Sequence, residues 1–147
     1  MRSRLLLAAT LLLSACAATT DASRTAPATP NVAKQLDQVL AGAHRSAESR
    51  ARDKYRHPKE TLLFFGLEPT MRVAEIWPGA NGWYTEVIAP LVAGKGQYYA
   101  VQWEANPQAE FIAKGIAAFN AKVAASPAAY GNMVSTELGP NRLTIAP

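Results

Sequence analysis

The run RVAEIWPGANGWYTEV, Arg72 to Val87, constrains the fold more than any other stretch of the chain. It reads as a hydrophobic strand, a glycine-bearing turn and the first turns of a helix. The strand spans Met71 to Trp77, with Val73 and Ile76 as its β-formers, and Pro78 and Gly79 break it. Glu75 lies near the carboxyl end, where a buried carboxylate can fix a loop or accept from a ligand. Gly79 and Gly82 let the backbone turn sharply and approach a ligand with no Cβ in the way, and a helix starting near Gly82 aims free amide groups at whatever binds there. That order is the architecture of a nucleotide pocket and favours an adenosine-type ligand. The competing reading is a tight turn whose tryptophans simply pack.

The rest of the chain extends the same pattern. Tyr84 to Val92 reads as helical, and Gly94, Lys95 and Gly96 turn the chain into a strand at Gln97 to Trp103. Strand, helix, strand is a right-handed parallel unit. Pro107 to about Ala125 is an amphipathic helix with Phe111, Ile112, Gly115, Ile116, Phe119 and Val123 inward, closed by Ser126 and Pro127, and Asn132 to Leu138 is a third strand. Upstream, Leu36, Leu40, Ala43, Ala47, Ala51 and Tyr55 recur at near-helical spacing, as in a helix that packs along one side. His57 precedes a proline and is expected to be extended, while Pro58 suits the first turn of a short helix through Phe65 ended by Gly66. The expected fold class is α/β: a Rossmann-like parallel sheet with helices on both faces, of about three strands (βαβαβ), after N-terminal helices.

The front of the chain is an address. Arg2 and Arg4 precede the apolar run Leu5 to Leu13, and Leu13-Ser14-Ala15-Cys16 follows, giving a charged region, a hydrophobic core and a small-residue cleavage site. The run is too short to span a bilayer as a helix. The tetrad ending in Cys16 resembles a lipoprotein box, in which the cysteine is acylated and becomes the new amino terminus, and Ala17 resembles the sorting pattern of outer-membrane lipoproteins. Cys16 is the only cysteine in the chain and falls where such a signal needs it, so the mature domain has no disulfide. Ordinary cleavage after Ala17 is the competing reading. Residues 1–15 are then a lipoprotein signal and 16–30 an Ala, Thr, Ser and Pro tether too poor in large apolar residues to offset the entropy of ordering. Residues 31–147 are enough for one small domain. The expected location is the periplasm, with attachment to the outer membrane through the lipid on Cys16.

Loss of Arg2 and Arg4 from the 15 basic residues leaves 13 against 11 acidic ones, so the net charge falls from +4 to +2 and nucleic acid is not an expected partner. The basic character concentrates between His44 and Lys59, in Arg45, Arg50, Arg52, Lys54, Arg56 and Lys59, with Glu48 and Asp53 interleaved. These side chains either meet an anionic substrate or lipid headgroups, or form a solvated helix face with partial charge pairing. His44 and His57 have no second ligand nearby in sequence, so metal binding is not expected.

The glycine turn resembles motif I of class I S-adenosylmethionine-dependent methyltransferases, which has an acidic residue two places before the first of three alternating glycines. Glu75 and the middle glycine, Gly79, match strictly; Trp77 and Asn81 stand where the outer glycines would fall, and Gly82 lies one place late. The ordered blocks HRS, ARD, YRHP, ETL, FFG, EIWPG and GWYTE between Ala41 and Pro90, with AAYGNMVSTELGP from Ala128 to Pro140, resemble a family of exported bacterial methyltransferases, in which Trp77 is a family trait. The resemblance runs from about residue 36 onward. It implies S-adenosylmethionine as cofactor, an unknown methyl acceptor, and cofactor contacts at Glu75, Trp77, Gly79, Asn81 and Gly82. It also implies a carboxylate for the ribose hydroxyls at the end of the second strand, where Gln102 holds the expected place and Glu104 follows two later. A sheet of this family has seven strands in the order 3, 2, 1, 4, 5, 7, 6. The chain therefore reads as the cofactor-binding half, a truncated form whose first strand is an exposed edge for a partner or a second copy. The alternative is a non-catalytic envelope lipoprotein that uses a Rossmann-like scaffold for binding or interaction.

Overall fold

A strand that is apolar on both faces takes the centre of a parallel sheet, and β2 (Gln97–Trp103) is such a strand, buried from Tyr98 to Gln102. The computed structural model describes residues 30–104, 108–140, 142 and 145. In it β2 lies between β1 (Arg72–Ile76) and β3 (Val134–Leu138), all parallel, in the order β1-β2-β3. The registers are Arg72 to Gln97 through Ile76 to Val101, and Tyr99 to Val134 through Trp103 to Leu138. The helices in chain order are α1 (Pro30–Ala41), α2 (Ala47–Arg56), α3 (Pro58–Phe64), α4 (Thr85–Val92), α5 (Glu110–Ala125) and α6 (Pro127–Tyr130). Helix α4 crosses from β1 to β2, and α5 with α6 crosses from β2 to β3. Cys16, the leader and the stretch to residue 29 lie outside the described residues, as does Pro107.

Register decides the faces. Val73 pairs with Tyr98, so Val73 and Glu75 share a face with Tyr98, Ala100 and Gln102. The core forms there, from Val32 and Leu36 of α1, Leu62 of α3, Val87, Ile88, Leu91 and Val92 of α4, Phe119 of α5 and Tyr130 of α6 against Tyr98 and Ala100. The opposite face carries Ala74, Ile76 and Trp103, with Ile76 53% exposed. Tyr99 is covered there by Arg72, whose guanidinium lies 5.5 Å from the ring centroid and donates to the phenol oxygen. The expectation of helices on both faces is therefore met on one face only among the described residues. Among them β1 pairs with β2 alone, so its other edge carries no strand.

The N-terminal helices depart most from the sequence reading. The single periodic helix through Tyr55 is two helices, broken at Gly42 to Ser46. Ser46 caps α2, its hydroxyl accepting from the Ser49 amide at 3.1 Å. Ala43, Ala47, Ala51 and Tyr55 are exposed, while Arg45 and Ser49 are buried. Polar anchoring, not an apolar stripe, orients α2. His57 is not extended but left-handed (φ 44, ψ 57): its amide closes α2 on the Asp53 carbonyl at 2.8 Å, and its own carbonyl accepts from Thr61 at 2.9 Å. The clash imposed by Pro58 removes the right-handed conformation, and a cap satisfies the helix end better than an extended residue would. Downstream, Phe111 is exposed rather than inward because α5 meets the sheet only from Ile112 onward, most deeply at Phe119. Helix α4 begins at Thr85, later than Gly82, because residues 79–84 are spent on turns.

Candidate functional site

The chain leaves β1 through three left-handed residues within six positions: Trp77 (φ 58), Gly79 (φ 67) and Gly82 (φ 52). For tryptophan this conformation costs about 1–2 kcal/mol, so its surroundings must hold it. The Trp77 amide continues the ladder by donating to the Val101 carbonyl at 2.8 Å, and its ring lies over Gly115 of α5. The two glycines serve different ends. A Cβ on Gly82 would fall 2.7 Å from Phe119 Cε2 and 2.9 Å from Thr85 Oγ1, so its bare Cα is demanded by packing. A Cβ on Gly79 would meet nothing within 4 Å, so its backbone faces open space. Of the two, Gly79 is the one a ligand can approach.

Glu75 stands beneath this turn, half-buried. Its Oε2 accepts from Thr85 Oγ at 2.9 Å and from the Tyr98 phenol, and those two hydroxyls are themselves 2.9 Å apart. Burial raises the Glu75 carboxyl above the usual range, with the Tyr98 and Thr85 hydrogen bonds pulling back. Burial, then the Glu75 charge, push the Tyr98 phenol upward. The carboxylate thus ties β1, β2 and the first residue of α4 together. It fixes the loop, one of the two roles open to it from sequence.

Asn81 is exposed at the crest of the turn. Its backbone carbonyl accepts from Lys122 Nζ of α5 at 2.5 Å, and its side-chain Nδ2 donates to Glu48 Oε1 at 3.5 Å. Trp77, Gly79, Asn81, Gly82 and Glu75 are thus gathered at one end of β1. Glu104 is not among them. It sits on the far side of β2, its amide donating to Leu138 at 2.9 Å and its carboxylate folded against Gly139. Gln102, at the place expected for a ribose carboxylate, is buried, and its Nε2 has no hydrogen-bond partner among the described residues. It lines a cleft of about 230 Å³ with Ile116, Asn120, Ser135, Glu137 and Arg142, between α5 and β3.

Sequence reasoning missed the group most buried near the turn. Glu86, in the first turn of α4, is wholly buried. Its Oε1 is paired with Lys122 and accepts from the Ser46 amide at 3.3 Å; its Oε2 lies 3.5 Å from Arg45 Nε without a hydrogen bond. Arg45, whose side chain is fully buried, forks onto Asp53 at 2.5 and 2.9 Å. The Asp53 hydrogen bond, with the charges of Asp53 and Glu86, raises its pKa against the cost of burial. Tyr130, beside them, is pushed up to about 12 by burial and then by the Glu86 charge. His44 donates Nε2–H to the Glu86 carbonyl at 2.8 Å, an acceptor that fixes the tautomer, and Trp83 donates to the Ser49 carbonyl at 2.9 Å. Asp53, Arg45, Glu86 and Lys122 form one chain of charge from α2 through α4 to α5, and it ends on the carbonyl of Asn81. The signal was present as the blocks HRS, ARD and GWYTE, which meet in space here.

The arrangement offers a turn, braced by Glu75 and Lys122, with open backbone at Gly79. The group that would hold a ligand is main chain. Compared with known proteins, the chain matches no family model, no curated sequence and no solved structure.

Proposed function

We propose that the chain is an S-adenosylmethionine-dependent methyltransferase-like protein of the cell envelope, and that its cofactor meets the Gly79 turn. The observation that supports this reading is the turn itself: β1 ends in a left-handed tryptophan and an open left-handed glycine, immediately before the crossover helix of a parallel β1-α4-β2 unit. Ligands of open parallel sheets bind at the carboxyl ends of the strands. The open space at Gly79 suits a group that must touch backbone. The cofactor supplies a sulfonium-bound methyl group open to displacement by an acceptor oxygen, nitrogen or carbon. The chain supplies position: Glu75, through Thr85 and Tyr98, holds the turn, while the Trp77 ring against Gly115 shields one side from water. No residue is assigned as general base.

A specific observation favours the second reading, a non-catalytic binding module. Glu75 Oε2 is committed to Tyr98 and Thr85, and Glu104 lies against Gly139 rather than at the turn, so the carboxylate expected for the cofactor's ribose does not stand beside Gly79. Calorimetric titration of S-adenosylmethionine and S-adenosylhomocysteine into the chain, beside a Gly79→Arg variant, separates the readings. Binding that the variant loses supports the methyltransferase-like reading. No binding by folded wild type rejects it and leaves the interaction module.

A further inference from the structure

We propose that the α2–α3 arm is a docking surface for an anionic lipid bilayer. The basic stretch from Arg45 to Lys59 divides in the fold. Arg45 is buried in the charge chain, Arg50 donates to the carbonyls of Ala41, Gly42 and Arg45, and Lys59 pairs with Asp37. Arg52, Lys54 and Arg56 have aromatic partners instead: the Arg52 and Arg56 guanidinium carbons lie 6.0 and 5.0 Å from the Trp83 ring centroid, and Lys54 Nζ lies 4.6 Å from that of Tyr55. A cation on an aromatic face keeps its charge and its outward donors.

The same arm exposes aromatic rings that a folded domain ordinarily covers. Tyr55 is 75% exposed, Phe64 74% and Phe65 73%. Phe64 and Phe65 contact each other edge to face at 5.5 Å, and α3, which carries Phe64 at its end, joins α2 through His57 alone. Exposed phenylalanine has no partner in water and no use for a hydrogen bond. On the same arm as Arg52, Lys54 and Arg56, which carry no ion pair among the described residues, it matches an interface in which rings enter the acyl boundary while Lys and Arg meet phosphate. A polyanionic glycan would use the cations but would leave two phenylalanines without a role. The surface does not require the methyltransferase-like reading, nor the lipid on Cys16.

The test is co-flotation of the chain with phosphatidylglycerol-containing vesicles and with pure phosphatidylcholine vesicles, the second setting the background due to the apolar leader. Wild type is expected to bind the anionic vesicles more tightly, and raising salt to about 1 M, where screening acts within about 3 Å, is expected to remove the difference. Lys54→Glu is expected to weaken anionic binding at least about fivefold, the weight of one cation near a charged surface. Phe64→Ser with Phe65→Ser should lower it roughly tenfold by removing buried apolar area. Equal flotation with both vesicle types would overturn the proposal, as would Lys54→Glu behaving as wild type. Salt-sensitive binding to a soluble polyanion such as heparin, with vesicle binding indifferent to the phenylalanine pair, would overturn it in favour of an anionic polymer.

Discussion

Replacing Glu86 with alanine tests whether the buried charge chain holds the glycine turn in place. The substitution removes a carboxylate of which no part reaches solvent, together with its pairing to Lys122, its acceptor for the Ser46 amide and its opposite charge for Arg45. Breaking a buried pair by removing one partner costs about 3–5 kcal/mol, because the other charge stays behind unpaired. Here the remainder is partly provided for. Arg45 keeps both hydrogen bonds to Asp53, and Lys122, a quarter exposed, can turn toward water. The loss therefore belongs near the lower limit, about 3 kcal/mol, which for a domain of this size lowers Tm by roughly 10–20 °C. Asp37→Asn is the control, since the Lys59–Asp37 pair is exposed and such pairs contribute at most about 1 kcal/mol. Urea titration and thermal melts of both variants supply the comparison. A Glu86→Ala chain within about 0.5 kcal/mol of wild type would refute the reasoning, and so would an Asp37→Asn chain equally destabilised.

The same geometry fixes other outcomes. Glu75 has a folded pKa raised above 4.5, so the native state holds that proton more tightly than the unfolded chain; this contribution is present below 4.5 and is lost as pH rises through the folded value. Glu75→Gln removes it, so the variant's Tm minus that of wild type should grow from about pH 4 to pH 8, and a flat difference would count against burial as the cause. Gly79→Ala should cost only the left-handed strain, about 1–2 kcal/mol, whereas Gly82→Ala adds the collision with Phe119 and should cost about 2 kcal/mol more; equal denaturation midpoints would show that Gly82 is not packed as described. Trp83→Phe removes the indole donor to the Ser49 carbonyl, which keeps its place in the α2 ladder, and should cost about 0.5–1.5 kcal/mol, read from the urea midpoint.

What sequence reasoning recovered was local in origin. The strand at Arg72, the glycine turn and the strand at Gln97 rest on residues that dictate their own backbone: β-branched and aromatic side chains, a proline and glycines. Parallel pairing followed from the intervening helix. The helical period upstream misled because near-regular alanines along 43–51 mark spacing without burial, while the residues that anchor the segment, Arg45 and Ser49, are polar and score as surface. Glu86 was hidden for the same reason. A charge is buried only when its partners are present, and those partners lie 41 positions upstream, at Arg45, and 36 downstream, at Lys122. No periodicity within α4 carries that information.

These two kinds of legibility divide the site itself. The conformation of the turn is written in Gly79 and Gly82, which tolerate the left-handed region, and in Trp77, which tolerates it only because Val101 and Gly115 hold it. Its placement is written elsewhere, in Glu75 with Tyr98 and Thr85 below and in Glu86 with Lys122 behind. Lys122 joins the two, since it bonds both the buried Glu86 carboxylate and the carbonyl of Asn81 at the crest. A ligand that touched only backbone at Gly79 would therefore draw on side chains it never meets, because unbuckling the turn would expose Glu86 to the loss of its cation. Preorganisation by buried charge is a costly way to hold a surface turn. It is warranted where the main chain must keep one geometry without a ligand's help, as a backbone-reading pocket at Gly79 would require.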